Sequence, residues 1–226
     1  MNINGSVAVV TGGNRGFGRH LVTQLLDRGA KVYATARRPE SVDVPGAVPL
    51  RLDVTDQESV EQAARLASDA TLLINNAGIS THAALVGGDL DQVRLEMETH
   101  YFGALRVIRA FAPVIEANGG GGILNVLSVL SWLHAAHLGA YSAAKAAAWA
   151  MTDAVRQELS PKGINVTALH VGYMDTDMAA HIAPEDKTDP FLVAAAALDG
   201  IASGAAEVIA DEFSRNVKRG LAASVG

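Results

Sequence analysis

Tyr141 and Lys145 stand four residues apart in a stretch whose pattern predicts a helix. Residues at this spacing are neighbours on one helix face, so the phenol and the ammonium group are expected to lie side by side. A nearby cation stabilises phenolate and lowers the pKa of tyrosine from its ordinary value of about 10, which favours Tyr141 as a general acid or base. Taken without its context, such a pair is most often a chance feature of a surface. Ser128 supplies that context. It ends the preceding predicted strand, and the strands are expected to form a parallel sheet that binds ligands at the edge where they end.

A glycine-rich segment, Thr11 to Gly18, lies between the first predicted strand and the first predicted helix. Its glycines follow the spacing G-x-x-x-G-x-G. Glycines permit a tight turn and let backbone N–H groups approach a pyrophosphate, whose charge a helix N-terminus stabilises. A purely structural turn is the alternative, since many turns need glycine for conformation alone. The strand–turn–helix context favours nucleotide binding, and the residues predicted to bind in this segment are Gly12, Asn14, Arg15, Gly16, Phe17 and Gly18.

The choice between NAD and NADP follows from charge at the end of the second predicted strand. An acidic residue there commonly holds a 2′-hydroxyl, whereas a 2′-phosphate needs a cation. No acid occurs between Lys31 and Pro39, but Arg37 and Arg38 do, and Arg15 can reach the same place. Arginine forks match phosphate oxygens. The pattern favours NADP(H), although these arginines are also ordinary residues for a solvated surface.

Six short apolar runs alternate with helical patterns along the chain, at residues 6–11, 31–36, 48–52, 71–75, 123–127 and 164–169. This alternation predicts an α/β fold with a single doubly wound parallel sheet (a Rossmann fold) and helices on both faces. One long helix is expected from about Leu90 to Ala117. Residues 205–221 read as mostly helical, without a seventh strand. We expect one NAD(P)-binding domain over residues 1–226, with a substrate loop or lid at about 173–200.

Composition excludes several classes of function. The balance of 18 basic and 24 acidic residues gives a net charge of −6, which argues against a general nucleic-acid or anionic-membrane binder. The absence of cysteine excludes disulfides, zinc–thiolate sites and thiol nucleophiles. No apolar run is long enough to cross a bilayer, and the N-terminus does not resemble a signal peptide. We therefore expect a cytoplasmic protein.

From Ser6 to about Met178 the chain resembles the short-chain dehydrogenase/reductase family, and carbonyl reductases in particular. The resemblance rests on the Thr11–Gly18 segment, Asp53-Val54, Asn75-Asn76-Ala77-Gly78, Ser128, and the Tyr141–Lys145 pair, in this order. It implies an NAD(P)-dependent oxidoreductase in which Ser128 steadies the substrate oxygen, Tyr141 transfers its proton, and Lys145 lowers the tyrosine pKa and grips the nicotinamide ribose. It also implies that the dinucleotide contacts Asp53, Val54, Asn76, Ala77, Gly78, Gly172 and Thr176.

Two positions depart from the family pattern. The family has an asparagine in the long helix where this chain has His100, and Pro-Gly after the sixth strand where it has Val171-Gly172. His100 is interpreted either as a tolerated substitution or as a titratable addition to the proton relay. The alternatives to an NADPH-dependent carbonyl reductase are a nucleotide-binding regulator with weakened catalysis, and a relative with dehalogenase or isomerase-type chemistry.

The expected substrate is an apolar carbonyl compound or alcohol. The loop from Ser128 to Gly139 contains no Lys or Arg, and the loop after the sixth strand begins with Tyr173 and Met174. Such a lining suits an apolar substrate, and Trp132 is a pocket candidate that is nearly as often a core residue. His134 and His137 lack a third ligand, so no metal site is predicted. Small residues on the helix that begins near Ala140 favour a homo-oligomer, a dimer or tetramer.

Overall fold

The computed structural model describes residues 1–221, which contain one parallel sheet of seven strands in the order β3-β2-β1-β4-β5-β6-β7. The central strands β1 and β4 are almost entirely buried, as their continuous apolar sequences require for a sheet that is covered on both faces. The strands are β1 (Val7–Val10), β2 (Lys31–Ala36), β3 (Val48–Arg51), β4 (Leu72–Asn75), β5 (Gly121–Val126), β6 (Ile164–His170) and β7 (Glu207–Ile209).

Helices cover both faces of the sheet. One core cluster joins the sheet to α2, α4 and α5 through side chains such as Val60, Phe111 and Val155. The opposite cluster joins it to α1 and α6 through side chains such as Leu21 and Leu198. The predicted doubly wound fold is confirmed. The helices are α1 (Gly16–Asp27), α2 (Gln57–Leu66), α3 (Leu90–Met97), α4 (Ala104–Ala117), α5 (Gly139–Leu159), α6 (Pro190–Ser203) and α7 (Glu212–Leu221).

The strand order reverses between β1 and β4, which are neighbours in the sheet but not in the chain. In an open parallel sheet, the crevice for a ligand lies beyond the carboxyl ends of the strands at such a reversal. The glycine-rich segment follows β1 and the Asn76–Gly78 segment follows β4. The topology therefore brings these two segments to one place.

The expectation that the tail lacks a seventh strand is wrong, because residues 207–209 form that strand. Glu207, Val208 and Ile209 pair in parallel with Ala168, Leu169 and His170. Backbone bonds flank the strand, from the Ala168 N–H to the Ala206 carbonyl and from the Ala210 N–H to the His170 carbonyl. Three half-buried residues are too few to show the alternation on which a strand prediction depends. The helical prediction holds from Glu212 onward as α7. The predicted domain also includes residues 222–226, which lie outside the described residues.

The long helix expected between Leu90 and Ala117 is divided by a wider turn. α3 ends at Met97, residues Glu98–Gly103 form a π-helical segment, and α4 begins at Ala104. A π-helical turn places one extra residue in the coil and often occurs at functional sites. Here it carries His100. Over residues 1–221, no helix combines the length and apolar character needed to cross a membrane.

Gly200 makes the contact between α6 and β7 possible. A Cβ atom at this position would lie 2.1 Å from Val208 Cγ2. We expect Gly200→Ala to lower the free energy of unfolding by about 1–3 kcal/mol through overpacking, partly offset by the better helix propensity of alanine. Urea denaturation measures the change. The matched control is Gly87→Ala, since nothing lies within 4 Å of a Cβ atom there.

A double variant separates this contact from an intrinsic effect of the helix. Val208→Ala removes the methyl groups that the new Cβ would meet, so Gly200→Ala should cost less in the Val208→Ala background than in the wild type. Equal costs in both backgrounds would contradict the packing explanation.

Candidate active site

The glycine-rich segment forms an open cradle at the start of α1. Gly16 has a φ of +51°, a conformation that residues with side chains rarely adopt, and a Cβ there would project toward Thr176, whose Cβ would be 3.8 Å away. A Cβ on Gly18 would lie 2.1 Å from the Gly12 carbonyl oxygen. These glycines therefore keep the turn tight and leave the backbone accessible between the cradle and Thr176.

The segment after β4 holds the cradle in shape. The Asn76 side-chain amide donates to the Thr11 and Gly12 carbonyls at 2.9 and 3.2 Å. The Thr11 hydroxyl accepts from the Asn76 and Ala77 N–H groups at 2.9 and 3.0 Å. Asn76 thus supports the cradle with its side chain, and its contact with an adenosine ribose remains a prediction.

Of the three predicted arginines, Arg15 lies within the glycine-rich segment, and the other two directly follow β2. Arg15, Arg37 and Arg38 are exposed, and across residues 1–221 their guanidinium groups take part in no ion pair or side-chain hydrogen bond. Asn14 donates to the Ser41 hydroxyl at 3.0 Å and ties the cradle to the segment that follows β2. The arginines are therefore available, close to the place where the sequence predicts a 2′-phosphate.

The remaining predicted cofactor residues lie along the same edge of the sheet. The Asp53 carboxylate accepts from the N–H and hydroxyl of Thr55 at 3.0 and 2.7 Å. The Gly172 N–H donates to the Asp211 carboxylate at 2.8 Å, and Thr176 begins a short 3₁₀ turn. The other predicted residues are Phe17 and Val54, which are buried, together with Ala77 and Gly78, which follow Asn76 directly.

The three predicted catalytic side chains meet beside this edge. The first turns of α5 place Tyr141 and Lys145 on one face, with Lys145 Nζ 5.5 Å from the centre of the tyrosine ring. Ser128 follows the end of β5, and its hydroxyl accepts from the Leu130 N–H at 3.1 Å. The lysine ammonium donates to the Val126 carbonyl at 2.8 Å, so the end of β5 fixes both the lysine and the serine.

The prediction that Lys145 lowers the pKa of Tyr141 stays a prediction, because Lys145 is not among the groups that shift that pKa in this structure. Burial raises the pKa of the phenol above its ordinary value and the charge of Glu96 raises it further, while contact with Ser128 acts in the opposite direction. Burial also lowers the pKa of Lys145 to about 8, although Glu96 opposes that shift. The lysine is directed at the Val126 carbonyl, and its own charge is destabilised by burial. The phenol is therefore held protonated at neutral pH.

His100 lies directly behind Tyr141. Its ring meets the tyrosine ring edge to face, with centroids 5.1 Å apart, and a Cβ on Gly78 would lie 2.7 Å from the imidazole. Its Nε2 is 2.9 Å from the Ile79 carbonyl and 3.1 Å from Glu96 Oε2. Burial, and then the charge of Lys145, lower the pKa of His100. The lowered pKa favours the neutral imidazole, whose Nε2 lies close to the Ile79 backbone and to the Glu96 carboxylate.

Glu96, a fully buried carboxylate on α3, is not among the residues predicted from the sequence. Its Oε1 accepts from the N–H and hydroxyl of Thr81 at 2.6 and 2.9 Å. Glu96 Oε2 lies 3.1 Å from His100 Nε2 but accepts no well-aligned hydrogen bond from the described residues. The available signal was spacing, since Glu96 and His100 stand four residues apart and share a helix face.

A small polar cavity adjoins the catalytic residues. Its volume is about 20 Å³, enough for one water molecule, and its lining includes Lys145, His100 and Asn75. The Asn75 side chain donates to Asn125 at 2.9 Å, but its own oxygen accepts nothing within the described part of the chain. The cavity therefore has room for one water molecule beside the lysine. The same part of the chain contains no group of three or more His, Cys, Asp or Glu side chains that could hold a metal ion.

Comparison with known proteins agrees with this geometry. The family model for short chain dehydrogenases matches residues 6–187. The chain belongs to the short-chain dehydrogenase family. A short-chain dehydrogenase from Burkholderia cenocepacia, solved in complex with NADP, superimposes with a TM-score of 0.94 at 41% identity, over 99% of this chain and 95% of that one.

Curated members of the family named as reductases are also similar. A 3-oxoacyl-[acyl-carrier-protein] reductase from Vibrio cholerae is 30% identical over 83% of this short-chain dehydrogenase and 81% of its own length. An NADPH-dependent 1-acyldihydroxyacetone phosphate reductase from Schizosaccharomyces pombe is 37% identical over 71% of this chain. The match spans only 57% of the length of that relative.

The predicted substrate-binding residues occupy different environments in this short-chain dehydrogenase. Trp132 is buried and stacks on His170 with ring centroids 3.8 Å apart, a placement that favours the core interpretation. Met174 packs against the core and forms a bridge with Thr188. Tyr173 is exposed, so of the three it lies where a substrate could meet it.

The low pKa of Lys145 predicts a dependence of stability on pH. In the unfolded chain lysine stays protonated up to about 10.5, but in the folded protein only up to about 8. Between these values the unfolded state binds more protons, so the free energy of unfolding should rise with pH, by up to about 3 kcal/mol. Urea denaturation at a series of pH values should show this rise in the wild type and not in Lys145→Met.

Lys162→Met is the control, because Lys162 is half-exposed and pairs with Glu116 at 2.9 Å. This variant should follow the wild-type pH dependence. If wild type and Lys145→Met changed in parallel between pH 8 and 10.5, the depressed pKa of Lys145 would be refuted.

Proposed function

We propose that this short-chain dehydrogenase is an NADPH-dependent carbonyl reductase that also runs in reverse as an alcohol dehydrogenase. The observation that carries the proposal is the meeting of Ser128, Tyr141 and Lys145 beside a glycine cradle at the carboxyl edge of the sheet. A proton donor, an oxygen-binding hydroxyl and a nucleotide-binding turn are what reduction of a carbonyl by a dinucleotide requires.

The residues present fit NADP(H). The cradle leaves its backbone accessible at Gly16, and Arg15, Arg37 and Arg38 would hold a 2′-phosphate with guanidinium groups that make no ion pair elsewhere in residues 1–221. When bound, the dinucleotide supplies the hydride. The NADP complex of the similar Burkholderia enzyme and the NADPH dependence of the similar yeast reductase support this choice.

The chain itself handles the carbonyl oxygen and its proton. The Ser128 hydroxyl holds the oxygen, and the Tyr141 hydroxyl gives its proton to that oxygen as the carbonyl carbon accepts hydride. The resulting phenolate is next to Lys145, whose ammonium can stabilise it until a proton returns from solvent. The burial that keeps the phenol protonated also matches the role of Tyr141 as the acid in reduction.

The proposed substrate is an apolar ketone or aldehyde. The loops that follow β4, β5 and β6 carry exposed apolar side chains at the carboxyl edge, namely Leu85, Val86, Leu133, Tyr173 and Met178. The lysine in these loops, Lys187, pairs with Asp175 at 2.7 Å. An apolar mouth without an unpaired lysine or arginine suits an uncharged substrate better than a phosphate ester.

The proposed enzyme is a homo-oligomer that pairs through α5. Ala143, Ala147 and Ala150 recur at helical spacing on a side of α5 that is exposed or half-buried, while Ala144 and Ala148 face the core. Small side chains allow close approach of a second helix.

Tyr141→Phe should abolish turnover and leave NADPH affinity within about twofold of the wild type. Loss of a positioned proton donor typically costs a factor of roughly 10²–10⁴ in rate. The measurement is NADPH consumption with a panel of apolar aryl and alkyl ketones, together with a fluorescence titration of NADPH. Tyr101→Phe is the control, because that hydroxyl makes no hydrogen bond within residues 1–221. A Tyr141→Phe enzyme with most of its activity would remove Tyr141 as the acid.

Arg37→Ala should weaken the binding of NADPH much more than that of NADH. A hydrogen bond to a charged group contributes about 1.5–3 kcal/mol, so the Kd for NADPH should rise roughly tenfold to a hundredfold. Fluorescence titrations with both dinucleotides measure the two changes. Arg65→Ala, an exposed arginine on α2, should alter neither. Equal losses for both dinucleotides would refute the 2′-phosphate assignment.

A further inference from the structure

Glu96 is a fully buried carboxylate that the proposed chemistry does not use. It projects from α3, and Thr81 binds its Oε1 with two hydrogen bonds of 2.6 and 2.9 Å. Its Oε2 is also buried and accepts no well-aligned hydrogen bond from the described residues. A buried ion is costly unless its charge is compensated, so the position of Glu96 beside the catalytic residues calls for a physical reason.

The carboxylate is separated from the proton donor by one aromatic ring. Glu96 Oε2 lies 3.1 Å from His100 Nε2, and the His100 ring meets the Tyr141 ring at a centroid distance of 5.1 Å and an angle of 81°. His100 and Glu96 are both closed off from solvent. Because little water intervenes, the charge of the carboxylate is weakly screened at the phenol.

The pair carries a net negative charge. Burial alone would raise the pKa of Glu96, but contacts with His100 and Thr81 outweigh it and hold that pKa below its usual value. Burial and Lys145 lower the pKa of His100, so the imidazole stays neutral. An ionised carboxylate beside a neutral imidazole gives this pair a net charge of −1 near Tyr141.

We propose that Glu96 is a positioning residue that, across the His100 ring, keeps the Tyr141 hydroxyl protonated and so favours proton donation to a carbonyl. The inference rests on the proposed function, because it assigns Tyr141 as the acid. It predicts that Tyr141 stays protonated, and carbonyl reduction therefore continues, at alkaline pH. Alcohol oxidation needs the phenolate form of Tyr141, so it should require a higher pH than carbonyl reduction does.

The other groups that face Tyr141 act in both directions. Lys145, on the same helix, favours the phenolate when it is charged, but burial destabilises that charge. The Ser128 hydroxyl after β5 also favours the phenolate, whereas Tyr173 after β6 opposes it. Glu96 is the carboxylate among the groups that act on the phenol. Removal of its negative charge should therefore lower the pKa of Tyr141.

The first test changes only the charge of Glu96. Glu96→Gln keeps a side-chain oxygen for Thr81 and removes the negative charge. We measure alcohol oxidation with NADP⁺ as a function of pH, and expect the inflection of the rate profile to move to lower pH by on the order of one unit. Glu98→Gln is the matched control, since Glu98 is partly exposed and pairs with Arg106 at 2.5 Å. Its profile should coincide with that of the wild type.

A role limited to anchoring the loop at Thr81 would change the amplitude of the profile and not its inflection. Identical inflections for wild type and Glu96→Gln would therefore overturn the proposal. If Glu96→Gln does not fold, Glu96→Met removes the charge and the buried acceptor together, and the same shift is expected. Replacement of a buried ion by an apolar side chain of similar volume is often tolerated.

A second measurement needs no turnover. The ultraviolet absorbance change on phenolate formation is recorded for the wild type, for Tyr141→Phe and for Glu96→Gln, and the difference from Tyr141→Phe isolates Tyr141. Phenolate formation at lower pH in Glu96→Gln supports the proposal, and an unchanged titration overturns it. A protein that shows this shift but reduces no carbonyl would refute the proposed function and leave the inference about Glu96 in place.

Discussion

The direction of the strands is the constraint on which the rest of the molecule depends. Because all strands of the sheet are parallel, every carboxyl end opens on the same edge, and every polar segment that follows a strand arrives there. The cradle after β1, the Asn76 brace after β4 and Ser128 after β5 are far apart in the chain and meet for this reason alone. Helices on both faces keep the strands dry, so polar side chains are concentrated where the sheet ends.

A second consequence of the dry interior is that charge near the site is governed by burial. In water, a lysine ammonium beside a tyrosine would stabilise the phenolate. In the folded protein, burial disfavours the charged forms of both Lys145 and Tyr141. Burial also opposes the Glu96 carboxylate, but the hydrogen bonds from Thr81 and the nearby His100 ring hold the pKa of Glu96 below its usual value. The π-helical segment contributes here, since it carries His100 into the space between the carboxylate and the phenol.

The features that could be predicted from the sequence are those that depend on local pattern. Continuous apolar runs such as 72–74 identify buried strands, and the spacing of Tyr141 and Lys145 identifies a shared helix face. The features that could not be predicted depend on distant partners. The pKa of Tyr141 is determined by burial and by Glu96 on another helix, and Trp132 stacks on His170 of β6. β7 is a strand only because β6 offers it a partner.

Both borders of the sheet are poor templates for another strand. β3 forms one border and contains Pro49, which has no N–H to donate, and β7 forms the other with only three residues. Short borders and proline are the means by which proteins discourage edge-to-edge aggregation. A sheet with such borders therefore has little exposed backbone on which a strand of another chain could pair, so its helix surfaces are the larger faces left for side-chain packing.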